Sequence, residues 1–428
     1  MRAKFLAIGL GCAGSALGNE ALDLLEGKIT EDEITVVSED EESGSASSSG
    51  ESAPEVLVDD TDYSRRWRNS LPPKAIVYEN PNSALVQRVA VEGMAEWGYT
   101  TGSIDADGGN DTDVDDNTLR RLRLGGVMRA FGNTDLEAKV VADGNGYQGI
   151  DTLRATMNVN DGLKVEAGKF RPPFSQEYKR DPEVRVAPGL SPLIQNIAPA
   201  NTLGVRFETY SGPWMAGLGY FSGGYDKNVP GFGGDGFILA NLAYTFSPTA
   251  EAGTEGEDVA VPPGHQRWHL DYIYNLDDEA GSIPKGYEHL ISTGIEVSSG
   301  KFDFAGDFLL ANGPVDTAWG MNLFGRYWLY DEAVRFVGRY SYADSDDPDA
   351  ISVTSGVPSA IGDSTQPLMG YGLVTPVDEF HSFYGGLDWH VYGDHLLFST
   401  GLEYRLLKDE DDGDATSWLW HTGGRVAF

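Results

Sequence analysis

The chain has 428 residues, 54 of them glycine, with aromatic residues at 11% and a formal net charge of −35. That length admits either several ordinary domains or one large barrel, and the glycine and aromatic content favours many short strands with tight turns over long helices. An all-β fold is expected, and so acidic a chain is not expected to bind nucleic acid.

The first residues, MRAKFLAIGLGCAGSALGNEA, place Arg2 and Lys4 before an apolar stretch from Phe5 to about Leu17, then the small-x-small pattern Ala16-Leu17-Gly18. This reads as an export signal over residues 1–18. The only cysteine, Cys12, lies inside it, so the exported chain is expected to form no internal disulfide. Gly9-Leu10-Gly11 before Cys12 is a poor match to a lipoprotein signal. No later window has the roughly 20 predominantly apolar residues of a membrane helix. An exported chain without such a helix is either soluble or inserted in an outer membrane as a barrel.

Residues 19–62 contain the run SEDEESGSASSSGESAPE and few aromatics. Such a stretch buries too little apolar area to offset its chain entropy, so a disordered acidic tail is expected. The barrel is expected over residues 63–428.

From about Val89 onward, segments of some 10 to 13 residues alternate polar and apolar positions between clusters of Gly, Asn, Asp and Pro. In chain order they are VEGMAEWGYTTG, LRRLRLGGVMRAF, DLEAKVVADG, TLRATMNV, GLKVEAGKF, LGVRFETYSG, WMAGLGYFSG, FILANLAYTF, RWHLDYIYNL, HLISTGIEVSSG, KFDFAGDFLL, WGMNLFGRYWLY, AVRFVGRYSY, FYGGLDWHVYG, HLLFSTGLEYRLL and SWLWHTGGRVAF. These are 16 strands, an even number as a closed bacterial barrel needs.

The connections alternate in length. Asp105 to Thr118 reads as long, GNTD as short, GNGYQGI as medium, NDG as short, Pro172 to Asn201 as very long and SGP as short. Later, SSGK, YDE and YGD are short, while Ser345 to Glu379 and Lys408 to Thr416 are long. Long loops on one rim and tight turns on the other mark an outer-membrane barrel with periplasmic termini. The connection SPTAEAGTEGEDVAVPPGHQ breaks the rule, being long where a tight turn is due. It leaves open a miscount by one strand pair.

Two-faced strands occur in soluble sheets as well as membrane barrels. Here the polar parity is charged near strand centres, as at Lys139, Lys164, Glu166, Glu208, His269 and Asp271, and the apolar parity carries aromatics toward segment ends, as at Trp97, Tyr99, Trp214, Tyr220, Trp268, Tyr342 and Trp418. Interfacial aromatic girdles and a polar lumen explain both features. In the closing SWLWHTGGRVAF, Trp418, Trp420, Val426 and Phe428 share the apolar parity. A last strand paired to the first leaves no free edge, and a terminal phenylalanine resembles the signature read by the bacterial outer-membrane assembly machinery.

The stretches RRLRLGGVMRAFGNTDLEAKVVAD and DGLKVEAGKFRPPFSQEYKRDPEVRV resemble the phosphate-selective porin O and P family. The matching positions are Gly162, Leu163, Lys164, Val165, Gly168, Phe170, Pro173 and Phe174. The resemblance implies a 16-stranded, usually trimeric outer-membrane pore whose third loop folds into the lumen. Residues 172–201 would be that constricting loop. It also implies that lumen arginines and lysines select the solute: Arg121, Arg123, Arg129, Arg206, Arg326, Arg335, Arg339, Arg405 and Arg425 on strands, and Arg171, Lys179, Arg180 and Arg185 in or beside the loop. Guanidinium groups offer a planar, permanently charged fork suited to phosphate oxygens, and rings of them favour anions in a pore. Alternatively, these arginines pair with lumen acids and stiffen the wall.

The net charge sorts by region. The tail contributes −14, four acidic connections contribute −18, and about −5 remains for the wall and constricting loop. The acidity therefore lies mostly at the mouths. Glu92, Glu96, Glu137, Glu166, Glu208, Asp303, Asp307, Asp388 and Glu403 share the lumen parity with the arginines. This favours a general diffusion pore with a locally basic constriction over strict phosphate specificity.

The run DADGGNDTDVDD spaces Asp105, Asp107, Asp111 and Asp116 much as calcium ligands are spaced, although Gly109 and Asn110 depart from an EF-hand. Ca²⁺ is the only cofactor that these residues suggest, and a solvated acidic loop is the commoner explanation of such a run. No His/Cys cluster, nucleotide-binding loop or GxSxG motif occurs, so neither zinc, energised transport nor hydrolysis is expected. Two functions remain: a passive pore for small solutes, and a structural or adhesive barrel whose acidic loops bind divalent cations.

Overall fold

The computed structural model describes residues 75–106, 112–179, 189–224, 226–231, 236–246, 266–276, 287–314, 317–330, 333–346, 351–354, 374–408 and 414–428. The expected signal and acidic tail lie outside the described residues.

Sixteen antiparallel strands close on themselves among the described residues. After a short arm, β1 (Ala75–Glu79), the barrel runs through β2 (Val86–Ala106), β3 (Thr112–Ala130), β4 (Thr134–Asp143), β5 (Gly146–Asn160), β6 (Leu163–Phe170), β7 (Thr202–Ser211), β8 (Trp214–Phe221) and β9 (Phe237–Thr245). It continues through β10 (Gln266–Asn275), β11 (His289–Ser299), β12 (Phe302–Asn312), β13 (Thr317–Tyr330) and β14 (Val334–Ser345). A small hairpin, β15 (Ile351–Thr354) with β16 (Val374–Val377), precedes β17 (Glu379–Asp394), β18 (Leu396–Lys408) and β19 (Ala415–Ala427). β19 pairs with β2 from Ala415↔Ala106 to Ala427↔Met94, which closes the ring.

All 16 segments read from the alternation are barrel strands. Each barrel strand pairs with its neighbours around the ring, which satisfies most backbone donors of the wall without water, as a lipid-embedded sheet requires. β9 pairs directly with β10, Thr245 opposite Arg267. No further strand pair therefore stands between β9 and β10 in the wall.

Two expectations about connections are corrected. The described residues of this stretch, 105–106 and 112–118, are strand: β2 and β3 stay paired out to Ile104↔Thr112, because Thr100, Thr101, Ile104, Thr112 and Val114 favour extended backbone. GNGYQGI contains only a two-residue turn, since β5 already starts at Gly146. The arm β1 and the β15–β16 hairpin carry too little alternation to stand out.

β1 takes up the edge of β2 that β19 leaves. Ala75 lies opposite Val91 and Glu79 opposite Arg88, just past the residues that pair with Ala427 and Phe428. The arm thus prolongs the line of β19 toward the short-turn rim.

Burial is inverted relative to a soluble protein. Phe207, Leu218 and Trp418 are each more than two-fifths exposed, while Arg121, Arg206, Glu208 and Glu403 are buried. Apolar side chains face outward to lipid and charged side chains face the lumen, which settles the ambiguity of the two-faced strands. The lumen also holds an apolar layer just inside the long-loop rim. There Leu193, Ile194 and Ile197 of helix α2 (Pro192–Ile197), with Ile351 and Val353 of β15, pack against Phe221, Phe237, Ile273, Leu309 and Phe380 of the wall.

Candidate functional site

Below the apolar layer the inner wall is charged, and its ions are held in cross-strand pairs. A chain of alternating sign crosses β2 to β7. Lys139 Nζ lies 2.7 Å from Glu92 and 2.8 Å from Glu137. Arg154 reaches Glu137 at 2.5 Å and Glu166 at 3.1 Å. Arg206 bridges Glu166, at 2.9 Å, and Glu208, and Lys164 closes the series on Glu208 at 2.7 Å.

Backbone register builds this ladder. Glu137 lies opposite Arg154, Glu166 opposite Arg206, and Lys164 opposite Glu208. Lys139 reaches Glu92 across β3 because Gly125 stands between them in register. A β-carbon on Gly125 would fall 2.6 Å from the lysine Cγ. Alternating signs at contact distance let each buried charge meet a partner, without which its desolvation would be prohibitive.

A second network centres on Glu403 of β18. Its carboxylate accepts from Ser382 Oγ at 2.5 Å, Arg405 at 2.6 Å, His421 Nε2 at 3.0 Å and Arg339 at 3.2 Å. His421 in turn meets Thr100 Oγ1 at 2.9 Å. Arg339 also donates to Gly189 O at 2.7 Å, which ties the wall to the β6–β7 connection.

That connection folds into the lumen and lands on acids of β10 to β12. Ser175 N donates to Asp271 Oδ2 at 3.0 Å, and Glu177 N donates to Asp307 Oδ2 at 2.9 Å, around the short helix α1 (Gln176–Lys179). Lys179 Nζ meets Asp271 Oδ1 at 2.7 Å, and Gln176 donates to Glu296. Ser191 then donates through N and Oγ to the Glu177 carboxylate, at 2.8 and 2.6 Å. Burial pushes the Glu177 carboxyl up from its ordinary value, against Arg339 and the two serine donors. Burial likewise lowers Lys179, opposed by the Asp271 carboxylate.

The remaining candidates occupy the same wall. Arg123 pairs with Asp151 at 3.2 Å, Arg326 with Asp303 at 3.3 Å, and Arg335 with Asp388 at 2.7 Å. Arg129 makes a two-pronged bond to Asp135, 2.6 Å on each prong, close to the short-turn rim. Arg121 and Arg425 are buried at lumen-facing positions. Arg171 stacks over Tyr178, 4.9 Å from its ring centre, and donates to its carbonyl. Arg180 and Arg185 lie outside the described residues.

Alternation alone misplaced or missed several groups. Register shifts between Glu96 and Trp97, and Arg120 is the extra residue on β3. This bulge turns Arg120 inward beside Arg121, where it pairs with Glu96 at 2.6 Å. Arg154 could have been found by pairing TLRATMNV against its neighbour. Lys169 sits on the parity opposite Phe170, yet it is fully buried. Its ammonium donates to the carbonyls of Asp226, Lys227 and Asn228 at 2.9, 3.0 and 2.9 Å. These belong to the β8–β9 connection, which no local pattern links to β6.

The calcium reading is corrected for the two described ligands. Asp105 lies opposite Thr416 and Asp116 opposite Thr100. They stand on extended strands, displaced by about 16 Å along β2. Asp107 and Asp111 lie outside the described residues. Among the described residues no group of three His, Cys, Asp or Glu side chains could hold a metal ion.

Residues 90–283 match the model of the family described as phosphate-selective porin O and P. Among solved structures, the outer-membrane channel DcaP of Acinetobacter baumannii superposes with a TM-score of 0.50 at 11% identity, covering 82% of this chain and 99% of that one. Salmonella typhi OmpF gives 0.49 at 11% identity over 82% and 100%, and an anion-selective porin from Comamonas acidovorans gives 0.48 at 13% identity over 79% and 100%. A comparison with curated proteins returns no match. The closed 16-stranded wall, its charged lumen and the match over residues 90–283 make this chain an outer-membrane β-barrel of the porin type, similar to the phosphate-selective porin O and P family.

Proposed function

We propose that this porin is a passive channel for small hydrophilic solutes with a preference for anions, and not an enzyme. The observation that carries the preference is how charge is divided around the lumen. From β13 through β19 to β3 the inward positions among the described residues hold Arg326, Arg335, Arg339, Arg405, Arg425, Arg88, Arg120, Arg121, Arg123 and Arg129, against the acids Asp388, Glu403, Glu92, Glu96 and Asp116. Asp271, Glu296 and Asp307 of β10 to β12 are engaged in holding the β6–β7 connection, while Asp303 pairs with Arg326. An anion crossing the lumen therefore meets a wall richer in guanidinium than in carboxylate. Ion pairing tempers this field, which supports general anion preference over strict phosphate selectivity.

Reversal potential under a KCl gradient, with phosphate titrated onto single channels, tests the reading. A chloride-selective potential is expected, with graded block by phosphate. A cation-selective potential overturns the preference while leaving the channel. By resemblance we also propose export by the signal at residues 1–18, assembly as a homotrimer, and recognition of the strand ending at Phe428 by the assembly machinery.

One observation favours a second reading, a structural or adhesive barrel. The α2 and β15 side chains pack against wall side chains of β8 to β18 in an apolar layer just inside the long-loop rim. Absence of any conductance from folded protein in a planar bilayer selects that reading.

A further inference from the structure

The seat of the β6–β7 connection holds a histidine that the channel reading does not use. His269 of β10 lies between the two aspartates that receive the connection. Its Nε2 is 3.1 Å from Asp307 Oδ1 and 3.7 Å from Asp271 Oδ2, with Ser292 Oγ at 3.4 Å. The imidazole is 2% exposed and both carboxylates are 0% exposed. The ring lies over Gly294 of β11, where a β-carbon would fall 2.8 Å from the imidazole Cε1.

The two acids are thus addressed from two sides. From the connection, Lys179 Nζ meets Asp271 Oδ1, and the amides of Ser175 and Glu177 reach Oδ2 of Asp271 and of Asp307. From the wall comes the imidazole. Among the described residues no hydrogen bond is aimed at Asp307 Oδ1, the oxygen that the imidazole faces. Ser175 N and His269 Nε2 approach the same oxygen, Asp271 Oδ2.

A proton on His269 places a second positive charge on an acid pair that Lys179 already serves. Away from water the two cations repel, and the wall's own cation makes the one on the connection dispensable. The other groups nearby do not reverse the sign. Glu296 of β11 stands opposite Arg267 in register, Glu177 is matched by Arg339 at 3.9 Å and by the two Ser191 donors, and β9 sets the uncharged Ala243 opposite His269.

We infer that His269 is a proton-sensitive release for the β6–β7 connection. The neutral imidazole leaves Asp271 and Asp307 to Lys179, Ser175 and Glu177, whereas the imidazolium competes for the same acids and loosens the connection. Histidine changes charge between about pH 5 and 8, so acid loosens the seat and alkali tightens it.

Hydrogen exchange at the amides of residues 175–179, read on the full chain in lipid vesicles at about pH 8 and about pH 5.5, tests the release. At each pH the parent protein is compared with His269→Gln, so the intrinsic pH dependence of exchange cancels. The ratio of parent to variant rates should rise about fivefold from the alkaline to the acid condition, the lower end of usual coupling between sites. The same rise is expected against Lys179→Gln, which removes the repelled ammonium and serves should His269→Gln fail to fold. A ratio that stays constant or falls in acid overturns the release. For conduction the release rests on the channel reading, and acid should make the open-channel current flicker in the parent but not in His269→Gln. The expected exchange pattern in a folded barrel with no conductance at either pH overturns the channel reading and leaves the release standing.

Discussion

Phe428 and Gly93 hold the seam of the barrel. They exchange two backbone hydrogen bonds, each 2.9 Å, and the phenyl ring lies over the glycine so closely that a β-carbon there would fall 2.5 Å from Cζ. The last strand is therefore anchored to the first by its backbone and by a ring seated on a residue without a side chain. Gly93→Val should displace the ring and destabilise the barrel by about 1 to 3 kcal/mol, the usual cost of overpacking. Urea unfolding in lipid vesicles, followed by the loss of the compact gel form, reads this directly. An unchanged midpoint would show that the seam does not depend on the ring.

Asp271 is the main receptor for the folded-in connection, accepting from Ser175 N, Lys179 Nζ and Asn241 Nδ2. Asp271→Asn leaves the Lys179 ammonium facing a neutral amide, at a cost of roughly 3 kcal/mol. The barrel wall itself should persist, because its strands pair through backbone groups. Single-channel records are expected to become noisy as the connection leaves its seat, and a quiet channel with wild-type conductance would contradict the latch.

Glu403 and Asp303 provide an internal contrast. Glu403 is nearly sealed and accepts four donors, whereas the Asp303 side chain is 20% exposed beside Arg326. Glu403→Gln should lower stability by about 3 kcal/mol or more, since Arg339 and Arg405 lose a shared counter-charge. Asp303→Asn should cost under about 1 kcal/mol, because water screens the pair. Thermal unfolding of both variants in one detergent decides it, and equal shifts would remove the hub role from Glu403.

Lys169 pins the β8–β9 connection by donating to three successive carbonyls. Lys169→Met removes those bonds, but the carbonyls can turn to water, so the loss should stay local and near 1 kcal/mol per bond at most. Trypsin should then cut after Lys227 faster in the variant than in the parent protein, with the barrel intact by gel mobility. Equal cleavage would mean that backbone contacts alone, such as Ile150 N to Lys227 O at 2.8 Å, hold the connection.

Local alternation by itself determined the number of barrel strands, the parity that faces the lumen, and the inward arginines of β3, β13, β14, β18 and β19. These are properties of period-2 backbone, in which each side chain's direction follows from its position along its own strand. Tertiary structure decided which charges meet. Arg120 turned inward through a bulge, Lys139 reached Glu92 only across Gly125, and Lys169 found carbonyls far along the chain. The apolar layer, the landing of Ser175 and Glu177 on Asp271 and Asp307, and the hub at Glu403 likewise depend on register and chain return between distant segments. Those are set by closure of the whole sheet, where a one-residue shift moves every side chain to the other face.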